Sequence, residues 1–208
     1  MQIEASALSV ERGGRIVFAD LGFRLKAGEA LLVTGPNGAG KSTLLRALAG
    51  LLPLAAGRIE VIPASEARRA ELCHYVGHAD AIKPSLTAFE NLSFLSSLLA
   101  TSPPRPGAPQ VETALARLGL GAVVDLPAAY LSAGQKRRAA LARLVAVFRP
   151  IWLLDEPLTA LDLASQAIVL EIMAAHLAEG GIIIAATHAT LAIAAAELAL
   201  GRPARAAP

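Results

Sequence analysis

The stretch that most constrains this chain is Gly35, Pro36, Asn37, Gly38, Ala39, Gly40, Lys41, Ser42, because of what stands on either side of it. Before it runs the short apolar segment EALLVTG, residues 29 to 35, and after it comes STLLRALAGLL at helical spacing. Strand, tight glycine turn and helix thus follow one another, which is the setting a GxxxxGK[ST] loop requires. The glycines let several backbone N–H groups converge on phosphate oxygens, and the helix N-terminus adds about half a positive charge there. Lys41 supplies a point charge for the β and γ phosphates, and the Ser42 hydroxyl a ligand for Mg2+. Residues Gly35 to Thr43 are therefore the candidate nucleotide-binding loop.

Further along, IWLLDE at residues 151 to 156 reads as an apolar strand that delivers Asp155 to the sheet edge beside the loop, as an anchor for Mg2+. Adjacent residues on an extended chain point differently, so Glu156 faces the γ-phosphate when Asp155 faces the metal. Glu156 is the candidate base that orients or activates water. Runs such as Ile151 to Leu154 and Ile182 to Ala186 are short and continuously apolar, as in strands buried on both faces of a parallel sheet. Residues 3 to 10 and 15 to 25, parted by Gly13 and Gly14, read as an antiparallel hairpin. Between the loop and the later strands, residues 78 to 148 are mostly helical in pattern, broken by TSPPRPGAP at 101 to 109, whose four prolines forbid a helix and mark a surface loop. The expected fold is α/β: a mixed central sheet, an N-terminal antiparallel part and an inserted helical subdomain, all within one domain spanning 1 to 208.

Composition narrows the partners. The net charge is only +2 and the basic residues form no stripe interleaved with aromatics, so nucleic acid is not an expected partner. Cys73 is the only cysteine, which rules out an intrachain disulfide. With no CxxCH and a single cysteine, Cys73, His74 and His78 are not expected to bind haem directly. The N-terminus carries Glu4 and Glu11 and does not read as a secretory signal. Mean hydropathy is +0.52, and the one stretch worth testing as a membrane span, residues 180 to 196, is short and interrupted by Thr187, His188 and Thr190. It reads as a buried strand followed by a helix.

LSAGQKRRAALARL, residues 131 to 144, resembles the signature sequence of the ABC ATPases and its helix. The order agrees as well: phosphate loop, LSAGQ, DEP, LTALD at 158 to 162, then His188 after the last strand. The resemblance implies an ATPase subunit that takes ATP and Mg2+ and closes head to tail with a second copy of itself. Ser132, Gly134 and Gln135 of one copy would then meet the nucleotide on the loop of the other. It also implies that Asp162 communicates between the two sites, that His188 contacts the γ-phosphate and Glu156, and that an integral membrane permease is the partner. Two positions depart from the family pattern. His78 stands where a glutamine is usual, and a neutral imidazole there can ligate Mg2+. Arg12 stands near the place of an adenine-stacking aromatic, where its planar guanidinium can stack instead.

Within the family, GHADAIKPSLTAFENLSF at 77 to 94, Ile82-Lys83 after the histidine, and LSAGQ followed by Lys136, Arg137 and Arg138 are similar to the haem exporter ATPases of cytochrome c maturation. Leu158 departs from the phenylalanine frequent in that branch. The similarity implies a peripheral subunit at the cytoplasmic face of the inner membrane, coupling hydrolysis to release of a haem-loaded chaperone. An ATPase serving another cargo is the alternative. A kinase or GTPase reading lacks any NKxD sequence and leaves LSAGQ without a purpose.

Overall fold

The computed structural model describes residues 1–63, 69–99, 110–188 and 191–201. The Pro-rich segment at 101 to 109 lies outside them. The chain divides into two compact units: Met1–Gly77 with Pro150–Glu156 and His176–Pro208, and His78–Arg149 with Pro157–Ala175.

The first unit is built on two sheets. An antiparallel one has the order β2-β1-β4, with β1 at Gln2–Arg12, β2 at Arg15–Lys26 and β4 at Ala56–Ile62. Gly13 and Gly14 both take positive φ at the turn between β1 and β2, so the expected hairpin is present. The second sheet has the order β5-β6-β7-β3-β8, its ladders all parallel. Its strands are β3 at Ala30–Thr34, β5 at Cys73–Val76, β6 at Ile151–Asp155, β7 at Ile182–Ala186 and β8 at Ala196–Ala199. Every residue of β6 and β7 is buried, as their continuous apolar runs demand. Helix α1, Lys41–Leu48, packs on β6 and β7 and buries Leu44, Leu45, Ala47 and Leu48 against that sheet.

One expectation is overturned. No helix follows β7 among the described residues; Ala196–Ala199 instead form β8, whose Ala196 pairs with Leu31 and Ala199 with Thr34. Alanine-rich sequence favours helix locally. Here the otherwise unpaired edge of β3 takes up the backbone hydrogen bonds of that segment, and tertiary pairing wins over propensity.

The second unit is largely helical. It holds α3 at Ala88–Leu99, α4 at Val111–Arg117 and α5 at Ala133–Ala146, which pack on one another, and most of α6, Leu163–Ala178, while the short α2, Arg69–Leu72, belongs to the first unit. TAFEN at 87 to 91 starts α3 for a visible reason. Thr87 Oγ1 accepts from Glu90 N at 3.0 Å while Glu90 Oε2 accepts from Thr87 N at 2.8 Å, a reciprocal cap. Asn91 then shapes the preceding loop: Nδ2 donates to the carbonyls of Lys83, Leu86 and Thr87, and Oδ1 accepts from Lys83 N. The large apolar side chains of α3 divide: Leu92 is buried at 3%, Phe89 and Leu95 are half-buried, and Phe94 and Leu98 are exposed at 61% and 69%.

Candidate active site

The phosphate loop joins the C-terminal end of β3 to the N-terminus of α1, the edge at which α/β sheets bind ligands. Two of its glycines are required by geometry. Gly35 has φ 134°, and a Cβ there would run into the Leu200 carbonyl; Gly40 has φ 99°, and its Cβ would lie 2.5 Å from Val17 Cγ1. Gly40 opens α1 in the left-handed region, and the first turn of α1 carries no acidic residue, leaving its N–H groups and dipole for an anion. Lys41 is 9% exposed, and Nζ donates to Gly35 O at 2.7 Å and Pro36 O at 3.2 Å.

Asp155 ends β6 and is 5% exposed. The next residue, Glu156, has φ 49°, a left-handed conformation that costs a glutamate of order 1 kcal/mol or more and that clusters at functional sites. Its N–H donates to Ala186 O at 2.8 Å, which holds the turn against the end of β7. Its Oε2 accepts from Thr187 Oγ1 at 3.2 Å, and its Oε1 lies 3.9 Å from His188 Nε2. His188 Nε2 is also 3.1 Å from Lys41 Nζ and 3.1 Å from Asn37 Oδ1. Thus Asn37, Lys41, Glu156, Thr187 and His188 form one connected group around the loop, at the C-terminal ends of β3, β6 and β7. Such a group has a fixed cation for phosphate charge, a carboxylate for a water and an imidazole between them.

Sequence reasoning missed Thr187 and gave Asn37 only as part of the loop. Thr187 carried a signal, since it directly precedes His188 at the same strand end; the contact of the Asn37 side chain with His188 carried none, because only folding brings together two residues 151 positions apart. Arg12 lies exposed at the end of β1, opposite Arg15, while the hairpin side chains that reach the loop are Val17 and Phe18. Val17 is the extra residue where the register shifts between Val10↔Phe18 and Glu11↔Ile16, and this bulge presents it to Gly40.

The remaining candidates belong to the second unit. Ser132 caps α5: its Oγ accepts from Gln135 N at 3.2 Å, and Gln135 Oε1 accepts from Ser132 N at 2.8 Å. A Cβ on Gly134 would lie 2.9 Å from the Ala160 carbonyl, so glycine is needed for that approach. Asp162 starts α6, Oδ1 accepting from Ser165 N at 2.8 Å; the Ser165 side-chain and backbone hydrogen bonds hold its carboxyl below the usual range. His78 is exposed. Nearby, Arg137, 3% exposed, pairs with Asp80 at 3.0 Å and donates from Nε to Pro157 O at 3.4 Å.

Comparison with known proteins accords with this geometry. The profile of the family described as ABC transporter matches residues 18–159. A cytochrome c biogenesis ATP-binding export protein CcmA of Rhizobium meliloti (strain 1021) is 51% identical over 199 residues, covering 95% of this chain and 96% of that protein. The protein of the same description from Nitrobacter hamburgensis is 52% identical over 202 residues, covering 97% and 98%. Among solved structures, a putative ABC transporter ATP-binding protein from Pyrococcus furiosus superposes with TM-score 0.80 over 96% of this chain and 98% of that one, at 24% identity, a likeness of fold. A bacterial Atm1-family ABC exporter with ATP bound gives TM-score 0.77 at 25% identity, over 96% of this chain and 36% of the exporter.

Proposed function

The chain belongs to the ABC transporter family, and on that premise we propose how its residues serve an export system of cytochrome c biogenesis. It is the ATP-hydrolysing subunit of that system and binds nucleotide. The observation that carries the catalytic reading is the strained turn at Glu156, which sets a carboxylate beside Thr187 and 3.9 Å from His188, whose Nε2 is in turn 3.1 Å from Lys41 Nζ.

Lys41 and the N–H groups of the loop hold the β and γ phosphates, with Gly35, Pro36, Asn37, Gly38, Ala39, Gly40, Ser42 and Thr43 shaping the cradle. Glu156 orients the attacking water and takes its proton on a carboxylate oxygen, and His188 meets charge developing on the γ-phosphoryl. Mg2+ suits the donors present. Ser42 and Asp155 offer hard oxygens, and phosphates and water would complete the coordination of such an ion. When bound, Mg2+ supplies charge neutralisation at the phosphates. His78 is a further ligand candidate, and Arg12 a candidate for contact with the base.

A second copy completes the site in this reading: Ser132, Gly134 and Gln135 of the partner subunit face the γ-phosphate held here by Lys41, and Asp162 links the two sites. No helix among the described residues is long and apolar enough to cross a membrane. The family resemblance carries the reading of a peripheral subunit under an integral permease at the cytoplasmic face of the inner membrane. The finer assignment, release of a haem-loaded chaperone through that permease, rests on the relatives' names and on the GHADAIK and LSAGQKRR segments. The test compares membranes carrying this chain and its permease with the same membranes carrying Glu156→Gln. Hydrolysis is expected to fall about 10³-fold while ATP binding persists, and chaperone release is expected to stop with it. Release that continues without hydrolysis would assign the subunit to another cargo.

A further inference from the structure

His188 turns one nitrogen toward the phosphate loop, and that nitrogen meets partners with opposite demands. Nε2 is 3.1 Å from the Lys41 ammonium and 3.1 Å from Asn37 Oδ1. An ammonium only donates and an amide oxygen only accepts. A neutral ring therefore serves one of them: bare Nε2 accepts from Lys41, whereas Nε2–H donates to Asn37.

The surroundings favour the hydrogen. Glu156 Oε1, 3.9 Å away, is a second acceptor facing the same nitrogen. Lys41 is satisfied elsewhere, by Gly35 O at 2.7 Å and Pro36 O at 3.2 Å, so it forfeits little if the ring withholds its lone pair. Which form prevails decides what the ring offers to a phosphate. Terminal phosphoryl oxygens are acceptors, so only Nε2–H can bond to one, while a bare Nε2 would set lone pair against lone pair and draw Lys41 toward the imidazole.

We propose that Asn37 is a positioning residue for His188: in the nucleotide-free site its Oδ1 keeps the hydrogen on Nε2 and fixes the ring plane, so that the ring meets an arriving γ-phosphate as a donor, a phosphate oxygen then taking the place of Oδ1 on that hydrogen. The assignment rests on the ATPase reading of the site. It gives the third residue of the phosphate loop a task separate from the backbone cradle, carried out through a residue far along the chain.

Two measurements test it: ring-nitrogen NMR of the full-length chain labelled with 15N-histidine, without nucleotide, and ATPase kinetics in membranes with the permease. In the wild type the His188 spectrum is expected to show a hydrogen-bearing Nε2. In Asn37→Ala it is expected to show a bare Nε2, with kcat lower by roughly 10- to 100-fold, in the range seen when a partner that orients a histidine is removed. KM is expected to stay within about twofold, since the backbone cradle is intact. Asn37→Asp keeps an acceptor in the same place, so its ring should retain Nε2–H, with the added charge raising KM instead. A bare Nε2 in the wild type, a ring state unchanged in Asn37→Ala, or a raised KM with kcat untouched would each overturn the proposal. Should Asn37→Ala fail to fold, the wild-type and Asn37→Asp spectra still decide. Wild-type membranes that hydrolyse no ATP would sink the ATPase reading alone, because the ring spectrum does not depend on turnover.

Discussion

His176 pairs its ring with Trp152, centroids 3.7 Å apart and planes 7° from parallel, and is 5% exposed. Burial pushes its pKa down to about 4, with backbone hydrogen bonding at Pro150 and Ile182 acting the other way. A histidine depressed in the folded state stays neutral there while the unfolded chain takes up a proton. Its effect is therefore absent above about pH 6.5 and becomes destabilising as pH falls from there toward 4, at no more than about 1.4 kcal/mol per pH unit. His176→Phe keeps the stacked pair and removes the titration, so its Tm should drop less than that of the wild type between pH 7 and pH 4.5. Equal drops would show that other groups dominate acid unfolding. Nothing in the sequence distinguished His176 from any helix-borne histidine, whereas His188 stood out by its place after an apolar strand.

Helix ends account for much of what the signature segments do locally. Ser132 and Gln135 close a capping box on α5, so the residues that name the family also start a helix. Ser132→Ala should lower stability by about 1 kcal/mol and Ser132→Asn by much less, read as a shift in the urea midpoint at constant slope. If the two variants are equally stable, the cap contributes nothing. Loss of activity in signature variants must be separated from this effect. Strands were more legible than helices here: β6 and β7 follow from apolar runs, while β8 lies in a segment whose composition favours helix and whose conformation is set by its neighbour β3.

At the level of the complete chain, the loop, Asp155, Glu156 and His188 belong to one unit, and Ser132, Gly134, Asp162 and His78 to the other. The second unit also carries an apolar surface. Phe94 and Leu98 are exposed on α3, Lys83 lies over the Phe94 ring at 5.9 Å, and beside them is a pocket of about 120 Å³ lined by Ile82, Asn91, Leu95 and Ala139 among others. With a permease as the family's partner, Phe94→Asp should leave stability within about 0.5 kcal/mol, as for exposed sites generally, keep ATP binding and weaken co-purification with the permease. Undiminished co-purification would place the contact elsewhere.

Residue order alone was enough to specify the phosphate loop, the strands that end in Asp155 and before His188, the hairpin and the family, because each rests on short-range spacing that local geometry reads directly. Folding had to settle that Asn37 meets His188, that Val17 reaches Gly40, that Phe94 points outward while Leu92 points in, and that the chain after β7 becomes a strand. Each of those depends on which distant backbone lies alongside, and sequence periodicity carries no information about a neighbour far away along the chain.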